Sequence, residues 1–137
     1  MVWRALRAAT TLKPLPTGAS AAASPTRCHF RGCSGELNHG PRAYHCGDFE
    51  EIDWILRRLR ARHTAQGGGR LLVVGISLGG NALMRWAGEM GAAASEVADA
   101  VAAVSSPIDL AAGGHAIGRG FNRLVYTRMF LNTMKPK

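Results

Sequence analysis

The sequence contains few cysteines and no long apolar run, and each of these deficits excludes a class of protein. Three cysteines in 137 residues cannot form a closed disulfide framework. Their odd number is typical of a reducing compartment, so we predict a cytoplasmic location. The longest apolar run, residues 71–76, is much shorter than the roughly 20 residues that a membrane-spanning helix requires. We therefore expect no stable membrane span.

Acidic residues are absent from the first 35 positions, and this absence explains most of the chain's positive charge. The formal net charge is +8, and 5 of the 17 basic residues precede Glu36, the first acidic residue. The remaining 12 basic residues stand against all 9 acidic ones, which is an ordinary balance. A strongly basic domain could bind nucleic acid or an anionic surface. Because the excess is concentrated in the first part of the chain, we predict no nucleic-acid partner.

Composition divides the chain into a leader and a domain. Residues 1–26 are basic, free of acidic residues, and rich in Ala, Ser, Thr and Pro. This composition is typical of a disordered leader or an organelle-targeting segment, and it would also arise from a misassigned gene start. Over the whole chain, 47% of residues are hydrophobic, so a packed core is expected in residues 27–137.

Apolar periodicity predicts helices that alternate with strands. An apolar stripe predicts a helix over 48–63, with Asp48 as its N-cap and Glu51 completing a capping box. The runs over 70–76 and 99–105 are apolar without alternation, which predicts strands buried on both faces. Further helices are predicted over 79–90, over a short stretch from 109, and over 115–134.

The order of these elements predicts an α/β fold with a parallel sheet. Helices that connect strands through short loops are typical of right-handed crossovers between parallel strands. Only about two and a half strands are predicted, the half being a possible strand end over residues 27–30, whereas a parallel sheet in a complete domain usually has more. We therefore interpret the chain as a partial α/β domain, with parallel strands, flanking helices and truncation at both ends.

Residues 75–79 match the pattern G-x-S-x-G of a nucleophile elbow, in the strand-to-helix context that this motif requires. Ser77 would stand at the tip of the turn and act as the catalytic nucleophile. Gly75 and Gly79 would be small because strand and helix approach each other closely there. The amide of Leu78, at the start of the helix, would donate a hydrogen bond in the oxyanion hole. We expect no cofactor for such a reaction.

Other ligand-binding motifs fit this turn less well. A Walker phosphate loop requires Gly-Lys-Ser/Thr, and no lysine lies near residues 75–80. A dinucleotide fingerprint requires G-x-G-x-x-G, which the spacing of these glycines does not match. Three cysteines and three histidines between residues 28 and 46 lack the paired spacing of a zinc site, so we predict no metal.

A serine nucleophile also needs a base and an acid that orients it. Asp109 and His115 follow Ser77 in the order typical of α/β-hydrolases, but only six residues separate them. No later strand is available to carry the histidine. The alternative interpretation is that Asp109 caps a helix and His115 is a solvated surface residue, and we assign neither of them to the catalytic set.

Several motifs together resemble the YheT-like branch of the α/β-hydrolase superfamily. The similar segments are 29–36, 44–48, 75–81 and 117–122, so the resemblance covers about residues 28–137. It implies an α/β-hydrolase fold and a serine hydrolase of carboxylic esters, such as acylglycerols or other lipid-like esters. It also implies that Ser77 is the nucleophile and that Leu78 supplies one oxyanion-hole amide.

The chain departs from that family at both ends. The family's His-Gly oxyanion motif has no counterpart in residues 1–26, and its acid and base lie beyond the last residue. We therefore expect the isolated chain to be inactive towards its small-molecule ester substrate and prone to self-association. Two alternatives remain, a non-catalytic interaction module that retains the centre of the sheet and a basic protein associated with nucleic acid.

Overall fold

The computed structural model describes residues 26–35 and 37–134, the side chains of residues 133 and 134 excepted. The leader predicted over 1–26 thus lies outside the described residues, except for its last position. The chain divides into two units, Met1–His45 and Cys46–Lys137.

The described part of the first unit consists of turns and extended loop, without a helix or a strand. The rings of Phe30 and Tyr44 stack with their centroids 5.2 Å apart. Asn38 stabilises the loop between them, because its side chain accepts a hydrogen bond from the amide of Gly40 and donates one to the carbonyl of Arg42. The described residues of this unit therefore form a loop held together by local contacts.

The second unit follows the predicted order of helices and strands. Its elements are α1 (Phe49–Ala65), β1 (Leu72–Ile76), α2 (Leu78–Met90), a 3₁₀ turn (Gly91–Ala93), α3 (Ala94–Val97), β2 (Ala100–Val104), α4 (Leu110–Ile117), α5 (Gly120–Asn122), a π-helical turn (Arg123–Thr127) and α6 (Arg128–Met134). The capping box predicted at α1 is wrong: Asp48 holds the N-cap position, but its side chain makes no capping hydrogen bond.

The two strands form a parallel pair connected by α2 and α3, which confirms the α/β character. Leu72 pairs with Ala100 and Ile76 pairs with Val104, so both strands end at the same edge of the sheet. Asp99 stabilises the opposite edge of the sheet, where both strands begin. Its carboxylate accepts a hydrogen bond from the amide of Leu71 at 2.7 Å and pairs with the guanidinium of Arg60 on α1.

The core of this unit lies where α1 packs against α2. Trp86 is fully buried there, and its indole N–H donates a hydrogen bond to the carboxylate of Asp53 on α1 at 3.0 Å. This bond satisfies the polar atom of a side chain that is otherwise surrounded by apolar groups. The other buried apolar residues are Leu56, Ala82, Leu83, Val97 and Ala98.

The prediction that both faces of the strands are buried is wrong for the described residues. The helices cover one face of β1, but on its other face Leu72, Val74 and Ile76 are each more than 60% exposed. In β2 all five residues are exposed. A continuous apolar run indicates a strand that a second layer can cover, and the described residues do not supply that layer.

The helices after β2 contribute nothing to the core. None of the described residues between 105 and 132 is buried. Their exposed apolar side chains include Ile108, Phe121 and Leu124. No helix in the described part of the chain is long and apolar enough to cross a membrane.

Candidate active site

Ser77 lies in the one-residue turn between β1 and α2, and its backbone has an uncommon conformation. Its φ is 52° and its ψ is −121°, outside the regions that non-glycine residues normally occupy. Such a conformation costs on the order of 1–3 kcal/mol and persists only where neighbouring structure enforces it. The amide of Ser77 donates to the carbonyl of Val104 at 2.9 Å, and its own carbonyl accepts from the amides of Gly80 and Asn81. The backbone is therefore held by β2 on one side and by α2 on the other.

The side chain of Ser77 is accessible. The residue is exposed, and its hydroxyl makes no hydrogen bond to any of the described residues. The amide of Leu78 belongs to the first turn of α2, where the helix itself offers no acceptor for its N–H groups. A helix N-terminus carries partial positive charge, so an oxygen that gains negative charge beside Ser77 would be stabilised there.

The close approach of strand and helix involves Gly75 and Gly80. A Cβ atom at Gly75 would lie 2.6 Å from the Cα of Gly80 and 2.7 Å from the carbonyl oxygen of Gly79. A Cβ atom at Gly80 would overlap the hydroxyl of Ser106. The prediction that Gly79 must be small is wrong, because a Cβ atom there meets no described atom within 4 Å.

The segment after β2 adds residues that the sequence analysis did not identify. Ser105 follows β2 as Ser77 follows β1, and its φ of 51° is also positive. The hydroxyl of Ser106 is buried and has no hydrogen-bond partner among the described residues. The side-chain amide of Asn81 donates to the carbonyl of Pro107 at 2.9 Å and so joins α2 to this segment. The one sequence feature that could have indicated this segment is the run Ser-Ser-Pro over residues 105–107, directly after an apolar strand.

Asp109 and His115 are not brought together as a catalytic pair. The carboxylate of Asp109 caps α4 by accepting a hydrogen bond from the amide of Ala112 at 2.9 Å. His115 is exposed in the last turn of the same helix. Among the described residues, no hydrogen bond joins His115 to Asp109 or to Ser77. The helix-cap interpretation of Asp109 is thus confirmed.

Two other carboxylates of this unit, those of Asp99 and Asp53, have structural partners. The pKa of Asp99 is lowered, first by the hydrogen bond from the amide of Leu71 and then by Arg60. Burial raises the pKa of Asp53, but the hydrogen bonds from Arg57 and Trp86 together lower it by more. The net shift of this pKa is therefore downward. Cys28, Cys33 and Cys46 form no disulfide bond with one another. No group of three metal-ligating side chains occurs in the part of the chain that the structure describes.

Comparison with known proteins gives one informative similarity. The chain is 41% identical over 107 residues to the protein named "Putative esterase YheT" of Escherichia coli K12. The matched region covers 78% of this chain but only 30% of that relative's length. No family model matches the chain, and no solved structure matches it significantly. The chain is thus similar to part of an esterase-like protein, in keeping with the resemblance seen in its motifs.

Proposed function

We propose that residues 27–137 form the central part of a serine hydrolase domain with an α/β-hydrolase fold, and that its substrates are carboxylic esters. In this proposal Ser77 is the nucleophile and the amide of Leu78 is one oxyanion-hole donor. Residues 1–26 form a leader outside that domain. Acylglycerols or other lipid-like esters are the proposed substrate class, on the basis of the motif resemblance. The proposed chemistry uses no cofactor.

The observation that carries the proposal is the conformation of Ser77. A positive φ at a non-glycine residue is costly, and here it lifts an accessible hydroxyl out of the sheet edge beside the N-terminus of a 13-residue helix. Ser105 also has a positive φ, but no helix begins directly after it, so the combination of the strained turn with a helix N-terminus distinguishes Ser77. The similarity to a protein named as an esterase independently supports this reaction class.

The proposed mechanism needs a base and a second oxyanion donor, and the described residues do not provide them. The hydroxyl of Ser77 would attack the ester carbonyl, its proton would pass to a base, and the amide of Leu78 would bind the oxygen that becomes negative. His115 is not placed to act as that base, and a second oxyanion donor is not assigned. An unactivated serine is a poor nucleophile at neutral pH, so we expect the isolated chain to be inert.

The test replaces the matched region of the E. coli relative with the corresponding region of this chain. The unmodified relative is first assayed with a short-chain nitrophenyl ester, so that the activity of the host is known. We expect the chimera to hydrolyse the ester and Ser77→Ala to reduce the rate by several orders of magnitude, because nucleophile and base act as a unit. Ser105→Ala is the matched control, since Ser105 has the same positive φ at the end of the neighbouring strand.

Two results would contradict the proposal. The first is retention of more than a few per cent of the activity in the Ser77→Ala chimera. The second is an equal loss in both serine variants, which would indicate a structural effect at the sheet edge. A non-catalytic interaction module would give a folded but inactive chimera, and a nucleic-acid-associated protein would show salt-dependent binding to DNA.

A further inference from the structure

The helical segment over residues 120–134 has an exposed apolar face. α5, the π-helical turn and α6 follow one another without a break, and none of their residues with a described side chain is buried. Phe121 is 76% exposed and Leu124 is 70% exposed. We call this set of side chains the apolar face: Phe121, Leu124, Val125, Tyr126, Met129 and Phe130.

The π-helical turn separates the apolar face from the basic side chains. Phe121, Val125 and Met129 follow one another at intervals of four, which keeps them on one side of a helix. Arg123 and Arg128 are five residues apart across the π-helical turn. Because hydrogen bonds in such a turn connect residues five apart, these two arginines come into line with each other. The segment is therefore amphipathic, although an uninterrupted α-helical register would place Arg128 between Phe121 and Leu124.

Charge in this part of the chain has one sign. From Leu110 to Lys137 the sequence has three arginines and two lysines, with no aspartate or glutamate. Arg119, Arg123 and Arg128 are exposed, and none of the ion pairs formed by the described residues includes them. The arginines are thus available to an anionic partner.

We propose that the segment over residues 120–134 binds the surface of an anionic lipid bilayer. The apolar face would enter the boundary between headgroups and acyl chains, and the arginines would contact lipid phosphates and carboxylates. Arginines beside large apolar and aromatic side chains are the composition that interfacial helices share. A second copy of this segment would bring its own arginines close to these arginines, which is unfavourable. A nucleic acid would pair with the arginines but would not bury the apolar face. The proposal does not depend on the role of Ser77.

The test is flotation of the full chain with vesicles in a density gradient, in which protein aggregates sink and bound protein rises. The vesicles contain phosphatidylcholine alone or phosphatidylcholine and phosphatidylserine at about 7:3. We expect flotation only with phosphatidylserine and a loss of binding in high salt. Each arginine near such a surface contributes about fivefold in affinity, so Arg123→Gln with Arg128→Gln should lower partitioning by about 30-fold. The matched control, Arg58→Gln with Arg62→Gln on α1, removes the same charge and should change partitioning by less than about threefold.

The apolar contribution needs its own pair of variants. Phe121→Ser with Leu124→Ser should abolish flotation, whereas Leu72→Ser with Val74→Ser on the exposed sheet face should preserve it. Circular dichroism checks that each pair keeps its helix content. Absence of flotation by the unmodified chain overturns the proposal, as do equal losses in the α1 control or the sheet variants. Binding to DNA that survives the loss of Phe121 and Leu124, without flotation, would indicate a nucleic-acid surface instead, and dimerisation that those substitutions abolish would indicate a second copy.

Discussion

The region from α1 to β2 and the region that follows β2 both contain many apolar residues, but only the first buries some of them in a core. In the first, Trp86, Leu83 and Val97 are almost completely buried, and the turn at Ser77 is held by hydrogen bonds from two elements. In the second, no described residue is buried, and large side chains such as Phe121 face solvent. The first region can impose strain on a backbone, whereas the second presents a surface. A proposed active site therefore belongs to the first region and a proposed binding surface to the second.

The largest expected effect tests whether the two regions differ in stability as they do in burial. Trp86→Ala should lower the free energy of unfolding by about 3–5 kcal/mol, because it leaves a cavity and removes the hydrogen bond to Asp53. Phe121→Ala should change it by less than about 0.5 kcal/mol. Urea denaturation followed by circular dichroism measures both. Comparable losses would mean that the region after β2 also contributes a core.

A smaller effect tests the approach of β1 and α2 at the Ser77 turn. Gly75→Ala should destabilise the chain by about 1–3 kcal/mol, because its Cβ would press on backbone atoms that cannot move independently. Gly79→Ala makes the same chemical change where no described atom is in the way. It should be neutral, or stabilise by up to about 1 kcal/mol through better helix propensity. The reverse order of the two variants would contradict the described packing.

The smallest expected effect concerns the pH dependence of stability that arises from the carboxylate of Asp99. Its pKa is lowered in the folded chain, so the carboxylate stabilises the fold above its ordinary pKa of about 4. That stabilisation is lost as the pH falls through the lower folded value. In the unmodified chain, the urea concentration at the midpoint of unfolding should decline between about pH 5 and pH 2. In Asp99→Asn this decline should be shallower. Identical declines in the two proteins would show that Asp99 contributes nothing through its charge.

The strand–turn–helix around Ser77 could be predicted because its signals are local. An apolar run followed by Gly-x-Ser-x-Gly-Gly specifies a strand, a sharp turn and a helix within 20 residues, and β1 and α2 begin within two residues of the predicted positions. The capping box at Asp48 could not be judged in the same way, because the residue pattern indicates the N-cap position but not whether its side chain makes the capping hydrogen bond.

The remaining features depend on contacts distant in sequence. Whether Val74 is buried depends on a second layer against the sheet, and no periodicity in β1 reveals whether that layer is present. Gly79 belongs to the motif and Gly80 lies just outside it, yet only Gly80 contacts Ser106, which lies 26 residues away. The positive φ of Ser105 arises without a glycine to indicate it. Sequence patterns identified the candidate nucleophile, but they did not identify the segment that packs beside it.

The position of a covalent adduct shows directly whether Ser77 is the nucleophile. The chimera is treated with a fluorophosphonate, which modifies only an activated serine, and the modified residue is located by mass spectrometry of its peptides. The account predicts a single adduct on Ser77, its loss in Ser77→Ala, its retention in Ser105→Ala, and no adduct on the isolated chain. An adduct on Ser105 or Ser106, or labelling that survives the loss of the Ser77 hydroxyl, would contradict the assignment of Ser77 as the nucleophile.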